Sequence, residues 1–312
     1  MFYKGEGGSM KLLICPDFHL TEKAPEKRID DFAETSLNKL NFVYKTAVKN
    51  NVDVVLQSGD FTNEPTMSYK FLIKLIKCIN KYDMTTVTIH GQHSLRYRTR
   101  GNTVLDAIEY SCPNLFILDD TFMGRNNIRI YGVGYGGEIP KPKKDNKFSI
   151  LLIHKMIVGS KKIWEGQTNI TWAKNFLMKN EFDLIVSGDN HAQFMCDINE
   201  RQFLFNCGTL LRNESDMVDY QPHLILFNTQ TLKYKKILVP IKSFDEVFKV
   251  DEINKGKNND KEMEEFIKGI RNYKNTTLKF KKNLLEYLKE NNIEDEIKNV
   301  FKEAFEFIGK NK

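Results

Sequence analysis

The chain has 312 residues, of which 41% are hydrophobic and 28% are charged. This composition is that of an ordinary globular protein. The length allows one large core with an appendage or two modest domains. The 47 Lys and Arg residues exceed the 41 Asp and Glu residues, and the net charge of +6 suits an anionic partner such as nucleic acid without requiring one.

The cysteines exclude two classes of small stabilised protein. They are odd in number (five), widely scattered, and show neither a CxxC pair nor the Cys/His spacing of a zinc knuckle, so neither a disulfide framework nor a zinc knuckle is expected. No apolar run approaches the ~20 residues that span a bilayer, and no signal peptide is recognisable. We therefore expect a cytoplasmic protein, with residues 1–9 as a flexible leader or an expression scar.

Short apolar, β-branched runs alternate with helical periodicities along most of the chain. The predicted helices are at about 30–49 and 67–82, and the predicted strands are at 11–15, 52–57, 85–89, 115–118, 128–133, 148–153, 184–187, 203–205, 223–227 and 233–239. This alternation predicts an α/β layered fold. The short links between the later strands predict that part of the sheet is antiparallel.

The composition changes at about residue 244, where the strands stop. We expect one domain at 10–243 and a mainly helical cap or partner-docking segment at 244–312. Apolar residues recur there at helical spacing: Met263, Phe266, Ile267, Ile270, Leu284, Leu285, Leu288, Ile297, Val300, Phe301, Ala304, Phe305 and Ile308. These faces pack on each other or on the main domain, or they dock a partner; the first interpretation is favoured because amphipathic helices are usually core elements.

Side chains of metal-ligating types follow five of the predicted strands. They are Asp17 with His19, Asp60, Gln92 with His93, His154, and Asp189 with His191. Open α/β sheets place ligands at the carboxyl ends of their strands. A single such motif is common and proves little, but five in this order favour a site for borderline divalent ions, which imidazole, carboxylate and amide ligands hold.

The order and placement of these motifs resemble the calcineurin-like metallophosphoesterases, from Lys11 to about Val239. The resemblance implies a four-layer α/β/β/α sandwich and a phosphodiester hydrolase in which two divalent ions activate water. Mn²⁺ is the expected metal, with Mg²⁺, Fe²⁺ and Zn²⁺ as alternatives. It also implies the ligand sets: Asp17, His19 and His191 on the first metal, Gln92, His154 and Asp189 on the second, Asp60 as the bridge, and His93 as the catalytic imidazole.

Three positions depart from the family pattern. Gln92 replaces the usual asparagine, Asp189 replaces a histidine, and Ser94 replaces the acid that orients the catalytic histidine. Glutamine offers the same amide oxygen on a longer arm, and a carboxylate is a harder ligand than imidazole. The second site is therefore altered rather than erased, and its preference shifts towards manganese or magnesium.

Three segments, HGQHSLRYR, GDNHAQF and NCGTLLRNESDMVDYQPHLILF, resemble SbcD-type nucleases of DNA repair and recombination, especially their phage-encoded relatives. This resemblance implies a DNA exonuclease or endonuclease that works with an SbcC-type ATPase subunit, forms a homodimer as its relatives do, and acts in the host cytoplasm if it is phage-encoded. Arg96, Arg98 and Arg212 are candidate DNA phosphate contacts.

Roles without DNA stay equally open for these arginines. Arg96 and Arg98 would lie in a solvated basic loop, and Arg212 would form an ion pair with Glu214 or Asp216. Two other functions also stay open for the whole chain. One is a phosphoesterase acting on a small ester or a phosphoprotein, and the other is a scaffold of the same fold without catalysis.

Overall fold

The computed structural model describes residues 9–95, 99–125, 127–253, 280–291, 293, 295, 297–301 and 303. The chain divides into two compact units, at residues 1–248 and 249–312. The first unit extends past the boundary expected at residue 243 because the next residues return to it. The backbone N–H of Ile29 donates to the carbonyl of Val247 at 3.0 Å, and Arg28 forms an isolated β-bridge with Phe248.

The first unit contains twelve described strands and four described helices. The strands are β1 (Lys11–Cys15), β2 (Val54–Gln57), β3 (Thr86–Thr88), β4 (Leu115–Ile117), β5 (Thr121–Arg125), β6 (Ile128–Val133), β7 (Phe148–His154), β8 (Leu184–Gly188), β9 (Phe194–Ile198), β10 (Gln202–Asn206), β11 (His223–Asn228) and β12 (Tyr234–Leu238). The helices are α1 (Phe32–Lys49), α2 (Tyr69–Asn80), α3 (Val104–Ser111) and α4 (Ala173–Asn180).

These strands form two six-stranded mixed sheets. The first sheet has the order β12-β11-β1-β2-β3-β4, and the second has the order β5-β6-β7-β8-β10-β9. β1 to β4 are parallel, as are β6, β7, β8 and β10, whereas β5, β9, β11 and β12 pair antiparallel. The antiparallel pairing expected from the short links is confirmed for the later strands.

The predicted sandwich of four layers is confirmed. β1 is a continuous apolar run because both of its faces are buried. Leu13 packs in the cluster that α1, α2 and α3 cover, while Leu12 and Ile14 pack in the cluster between the two sheets. A third cluster lies between the second sheet and α4, where Phe176 and Leu177 contribute. Strands that are buried on both faces show no alternation between apolar and polar residues.

Four described elements have no counterpart with stated bounds in the sequence analysis: α3, α4, β5 and β9. α3 has only eight residues, although a capping box between Thr103 and Asp106 marks its start. β5 and β9 lie at the two edges of the second sheet, where exposed positions such as Met195 dilute the apolar pattern. No helix among the described residues combines the length and the apolar composition that a membrane span needs.

In the second unit, the described helix α5 (Phe280–Glu290) buries Leu284 and Leu288. Both leucines pack with Tyr287, Ile293 and Phe301 within this unit. Val300, another residue of the predicted apolar faces, is exposed. The predicted helical positions from Met263 to Ile270 and from Ala304 to Ile308 lie outside the described residues.

Candidate metal centre

The sheets bring the strand-end side chains together. β1, β2 and β3 of the first sheet and β7 and β8 of the second all present their carboxyl ends at one rim. Three groups there place carboxylate oxygens and imidazole nitrogens within 4.8 Å of one another. They are Asp17 with His19 and His191, His19 with Asp60 and His93, and Asp17 with Asp60 and His154.

The first group is built around two facing imidazoles. The Nε2 atoms of His19 and His191 are 3.1 Å apart, and His19 is buried. Asn63 Oδ1 lies 3.1 Å from His19 Nδ1 and accepts its hydrogen bond, which leaves the Nε2 lone pair free to bind a cation. Two nitrogens that converge in this way at short distance fit two ligands of one metal ion.

The third group, Asp17 with Asp60 and His154, contains polar atoms that lack hydrogen bonds. His154 Nδ1 donates to the carbonyl of Ser58 at 2.8 Å, so its Nε2 is directed at the site. That nitrogen lies 3.2 Å from Asp60 Oδ2, yet the pair is not aligned as a hydrogen bond, and both atoms are buried without a partner among the described residues. Buried polar atoms are rarely left unpaired, and a divalent ion would satisfy these.

The buried charges of this group and of the neighbouring His19 also favour the binding of cations. Burial, opposed by His154 and reinforced by Asp60, raises the pKa of Asp17 to about 8. Burial lowers the pKa of His19 to about 3, so its imidazole is neutral and suited to metal ligation. Burial opposes protonation of His154, but its contact with Asp60 and the charge of Asp17 raise its pKa to about 9, so its imidazolium is the positive charge beside the two carboxylates, a role that bound cations would take over. The residues present therefore fit two divalent ions, with Asp60 shared by two of the groups.

Gln92 and Asp189 contact each other. Gln92 Nε2 donates to Asp189 Oδ1 at 2.7 Å, while Gln92 Oε1 is buried without a partner among the described residues. Asp189 belongs to none of the three groups, and its backbone N–H donates to Asp17 Oδ2 at 2.8 Å. The predicted ligand role of Gln92 has a candidate oxygen, whereas Asp189 is placed here as the partner of Gln92.

His93 lies at the open side of the centre. It is exposed, whereas the ligands Asp17, Asp60 and His154 are buried. Its backbone N–H donates to Asp60 Oδ1 at 2.9 Å, and its ring stands edge-on to that of His19 with centroids 5.0 Å apart. An exposed imidazole beside the ligands is positioned to meet a substrate from solvent.

The backbone at the site is strained and closely packed. His19, Asp60 and Asp189 all have positive φ angles, of 48°, 48° and 77°; such conformations are uncommon outside glycine and cluster at functional sites. Gly59 has φ +103°, and a Cβ there would lie 2.3 Å from His154 Nδ1. Gly91 leaves room for Asp60, because a Cβ there would lie 2.2 Å from Asp60 Oδ1.

Of the arginines predicted to contact DNA, the structure describes only Arg212. Arg96 and Arg98 lie outside the described residues. Arg212 is buried, and its guanidinium donates to the carbonyl of Lys242. No ion pair of Arg212 with Glu214 or Asp216 is present among the described residues; Glu214 instead lies 3.9 Å from His191 Nδ1.

The sequence analysis missed the groups that orient the ligands. Asn63 follows the Gly59-Asp60 turn by only three residues, but no pattern shows that its side chain returns to His19. The carbonyl of Ser58 is a backbone group and leaves no signal in the sequence. Tyr135, 38% exposed, places its ring 6.5 Å from that of His154 and was also missed. It follows β6, a strand that delivers no predicted ligand.

Residues 10–193 match the model of the family described as calcineurin-like phosphoesterase. The chain belongs to this family. The matched segment covers more than half of the chain and includes every predicted ligand from Asp17 to His191. The protein is thus a member of a group of metal-dependent phosphoester hydrolases, with an Asp and His cluster in the expected place.

No curated protein matches the chain. Among solved structures, the chain is similar to the protein TT1561 of Thermus thermophilus, with 13% identity, a TM-score of 0.48, and 74% of this chain and 99% of that chain covered. It is similar to a dimetal phosphatase from Danio rerio, with 8% identity, a TM-score of 0.46, and 74% and 99% coverage. It is also similar to GAP50 of Plasmodium, with 10% identity, a TM-score of 0.41, and 76% and 90% coverage.

Proposed function

We propose that this phosphoesterase is a DNA nuclease that cleaves phosphodiester bonds in repair or recombination. The observation that carries the hydrolytic part is the convergence of Asp17, His19, Asp60, His154 and His191, with unpaired donor atoms directed into the centre. Two bound divalent ions would supply the activation of water and the stabilisation of negative charge on the phosphate oxygens.

The residues of the chain have separate roles in this proposal. Asp17, His19 and His191 would hold one ion, and His154 and Gln92 would hold the other. Asp60, whose Oδ2 lies 3.9 Å from His19 Nε2 and 3.2 Å from His154 Nε2, would serve both. Asp189 would fix the Gln92 amide through their hydrogen bond. His93, at the exposed edge, would contact the scissile phosphate and assist proton transfer to the leaving oxygen. Ser94 cannot supply the carboxylate that orients the catalytic histidine in the family pattern, and the carboxylate that lies beside His93 is that of Asp60.

DNA as the substrate rests on two sources of support. The net charge of +6 favours a polyanion, and the HGQHSLRYR, GDNHAQF and NCGTLLRNESDMVDYQPHLILF segments resemble SbcD-type nucleases. On the same resemblance we propose an SbcC-type ATPase as partner, docked through the helical segment after residue 248, and a homodimer. Mn²⁺ is the proposed metal because the donors are a mixture of oxygen and nitrogen.

The test is cleavage of end-labelled single-stranded and duplex DNA with and without Mn²⁺, run beside a small diester, bis-p-nitrophenyl phosphate. Asp60→Asn removes one buried carboxylate at the centre, and Asp197→Asn, the matched control, removes an exposed carboxylate on β9. Metal-dependent DNA cleavage by the parent and Asp197→Asn, and not by Asp60→Asn, would support the nuclease. If the small diester is cleaved and DNA stays intact, the substrate is a small ester rather than DNA. If neither is cleaved, the proposal gives way to a scaffold without catalysis.

A further inference from the structure

A cleft beside the first sheet is lined by one face of α1, by residues 210–212 after β10 and by residues 240–242 after β12. Its volume is about 480 Å³, within the range of pockets that hold small ligands. None of the residues in the three metal-binding groups lines it. The cleft is therefore a separate feature of the main domain.

Two cations in this cleft lack a carboxylate partner among the described residues. Arg212 is 6% exposed, donates to the carbonyl of Lys242, and stacks over the Phe244 ring at 5.7 Å. Lys39 is half-buried and donates to the carbonyl of Pro240. Carbonyl oxygens and an aromatic face carry no full negative charge, so both positive charges are compensated only in part, by the nearby charge of Asp30.

Three carboxylates line the cleft: Asp31 and Glu34 are exposed, and Asp30 is already engaged. Asp30 receives a two-pronged contact from Arg28, with Nε to Oδ1 and Nη2 to Oδ2 both at 2.7 Å, and a hydrogen bond from Thr35 Oγ1 at 2.6 Å. Arg28 Nη1 also donates to the backbone carbonyl of Arg212 at 3.0 Å, which fixes the two arginines side by side. The pair of Arg28 and Asp30 thus balances itself and leaves Arg212 and Lys39 in excess.

Burial and mutual repulsion both lower the pKa values of these cations. Burial, followed by the charges of Arg212 and Arg28, lowers the pKa of Lys39 to about 8. Burial and the charge of Arg28 also lower the pKa of Arg212. Half-buried like charges destabilise a fold unless an anion lies between them.

We propose that this cleft binds a phosphoryl-bearing ligand of nucleotide size, with the phosphate held by Arg212 and Lys39. The planar arginine fork matches two phosphate oxygens and the lysine adds a mobile point charge. The rest of the wall is mixed: Phe42, Leu210 and Ile241 are apolar and would contact a base or sugar, whereas Asn38 and Asn41 are polar and Asp31 and Glu34 are acidic. The ligand is a free nucleotide or the terminal nucleotide of a strand. The site goes beyond the proposed hydrolysis, since it shares no residue with the metal centre.

Calorimetric titration of the metal-loaded full chain tests this. The probes are inorganic phosphate, deoxyadenosine, deoxyadenosine monophosphate, and a dinucleotide with and without a 5′-phosphate. Lys39→Gln removes one of the two cations, and Lys49→Gln removes an exposed lysine of the same helix that lies outside the cleft. Asp60→Asn is included because its hydrolysis is expected to be lost while the cleft is intact.

The expected result is binding of the phosphate-bearing probes that weakens about tenfold in Lys39→Gln, because one charge-assisted contact is lost. It is retained in Lys49→Gln and in Asp60→Asn. Arg212→Lys keeps the charge, removes the fork and should weaken binding similarly if it folds. Preference for the monophosphate over the phosphorylated dinucleotide identifies a free nucleotide, and the reverse identifies a strand end. Equal affinity in the parent and Lys39→Gln, or equal binding of deoxyadenosine and its monophosphate, would overturn the proposal.

Discussion

Gly91→Ala should distinguish an effect on activity from an effect on folding more clearly than the removal of a metal-ligating side chain would. A Cβ at this position would lie 2.2 Å from Asp60 Oδ1 and 2.6 Å from the Asp60 backbone nitrogen. Real Cβ contacts essentially never fall under 3.0 Å, so the two loops must separate by roughly 0.8 Å. The loop after β3 carries Gln92 and His93, and a displacement of ~1 Å among reacting groups lowers rates by about 100-fold.

The stability cost is expected to be about 1–3 kcal/mol, the usual range for an overpacked site. The assays are kcat/KM on the diester with Mn²⁺ and the free energy of unfolding in urea. The matched control is Gly124→Ala in β5, where an added Cβ meets no atom within 4 Å. It should leave both quantities unchanged within about 0.5 kcal/mol. If Gly91→Ala retained activity within threefold of the parent, the packing of Gly91 against Asp60 would not govern the centre.

Other changes test separate parts of the account. Asn63→Ala should weaken Mn²⁺ binding by about 10- to 100-fold through the loss of the His19 orientation, measured by titration; unchanged affinity would contradict that role. Chelation should lower the thermal midpoint by roughly 5 °C or more, and Mn²⁺ should restore it; an unchanged midpoint would argue against a structural metal effect. Burial and then Lys236 lower the pKa of His223 to about 4, so the unfolded state binds the proton first as pH falls. Stability present above pH 6.5 should then be lost towards pH 4, by at most about 1.4 kcal/mol per pH unit, and His223→Gln should lose this component; equal pH slopes in urea unfolding would contradict it.

The strands that deliver the ligands could be predicted because they are buried on both faces. β1, β2 and β8 consist almost entirely of fully buried residues, so their sequences are short apolar runs followed at once by Asp17, Asp60 or Asp189. The edge strand β9 has an alternation of half-buried and exposed residues and was missed for that reason. Strands were predicted best where both faces are buried, because few residue types other than apolar ones fit there.

The contacts among the site residues could not be predicted from the order of motifs. Asp189 has a φ of 77° and its carboxylate meets Gln92, a detail set by backbone geometry rather than by residue type. Arg212 was predicted to contact a DNA phosphate or to pair with Glu214 or Asp216, but the return of the chain after β12 places it in a cleft that shares no residue with the metal-binding groups. Long-range packing decides both outcomes, and one sequence carries no local signal for it.

Anomalous diffraction at the manganese edge, from crystals grown with Mn²⁺, tests the central claim most directly. The account predicts two peaks, one within coordination distance of Asp17, His19 and His191 and the other within reach of His154 and Gln92, with Asp60 between them. A crystal with fully ordered side chains and no manganese peak among these residues would contradict it.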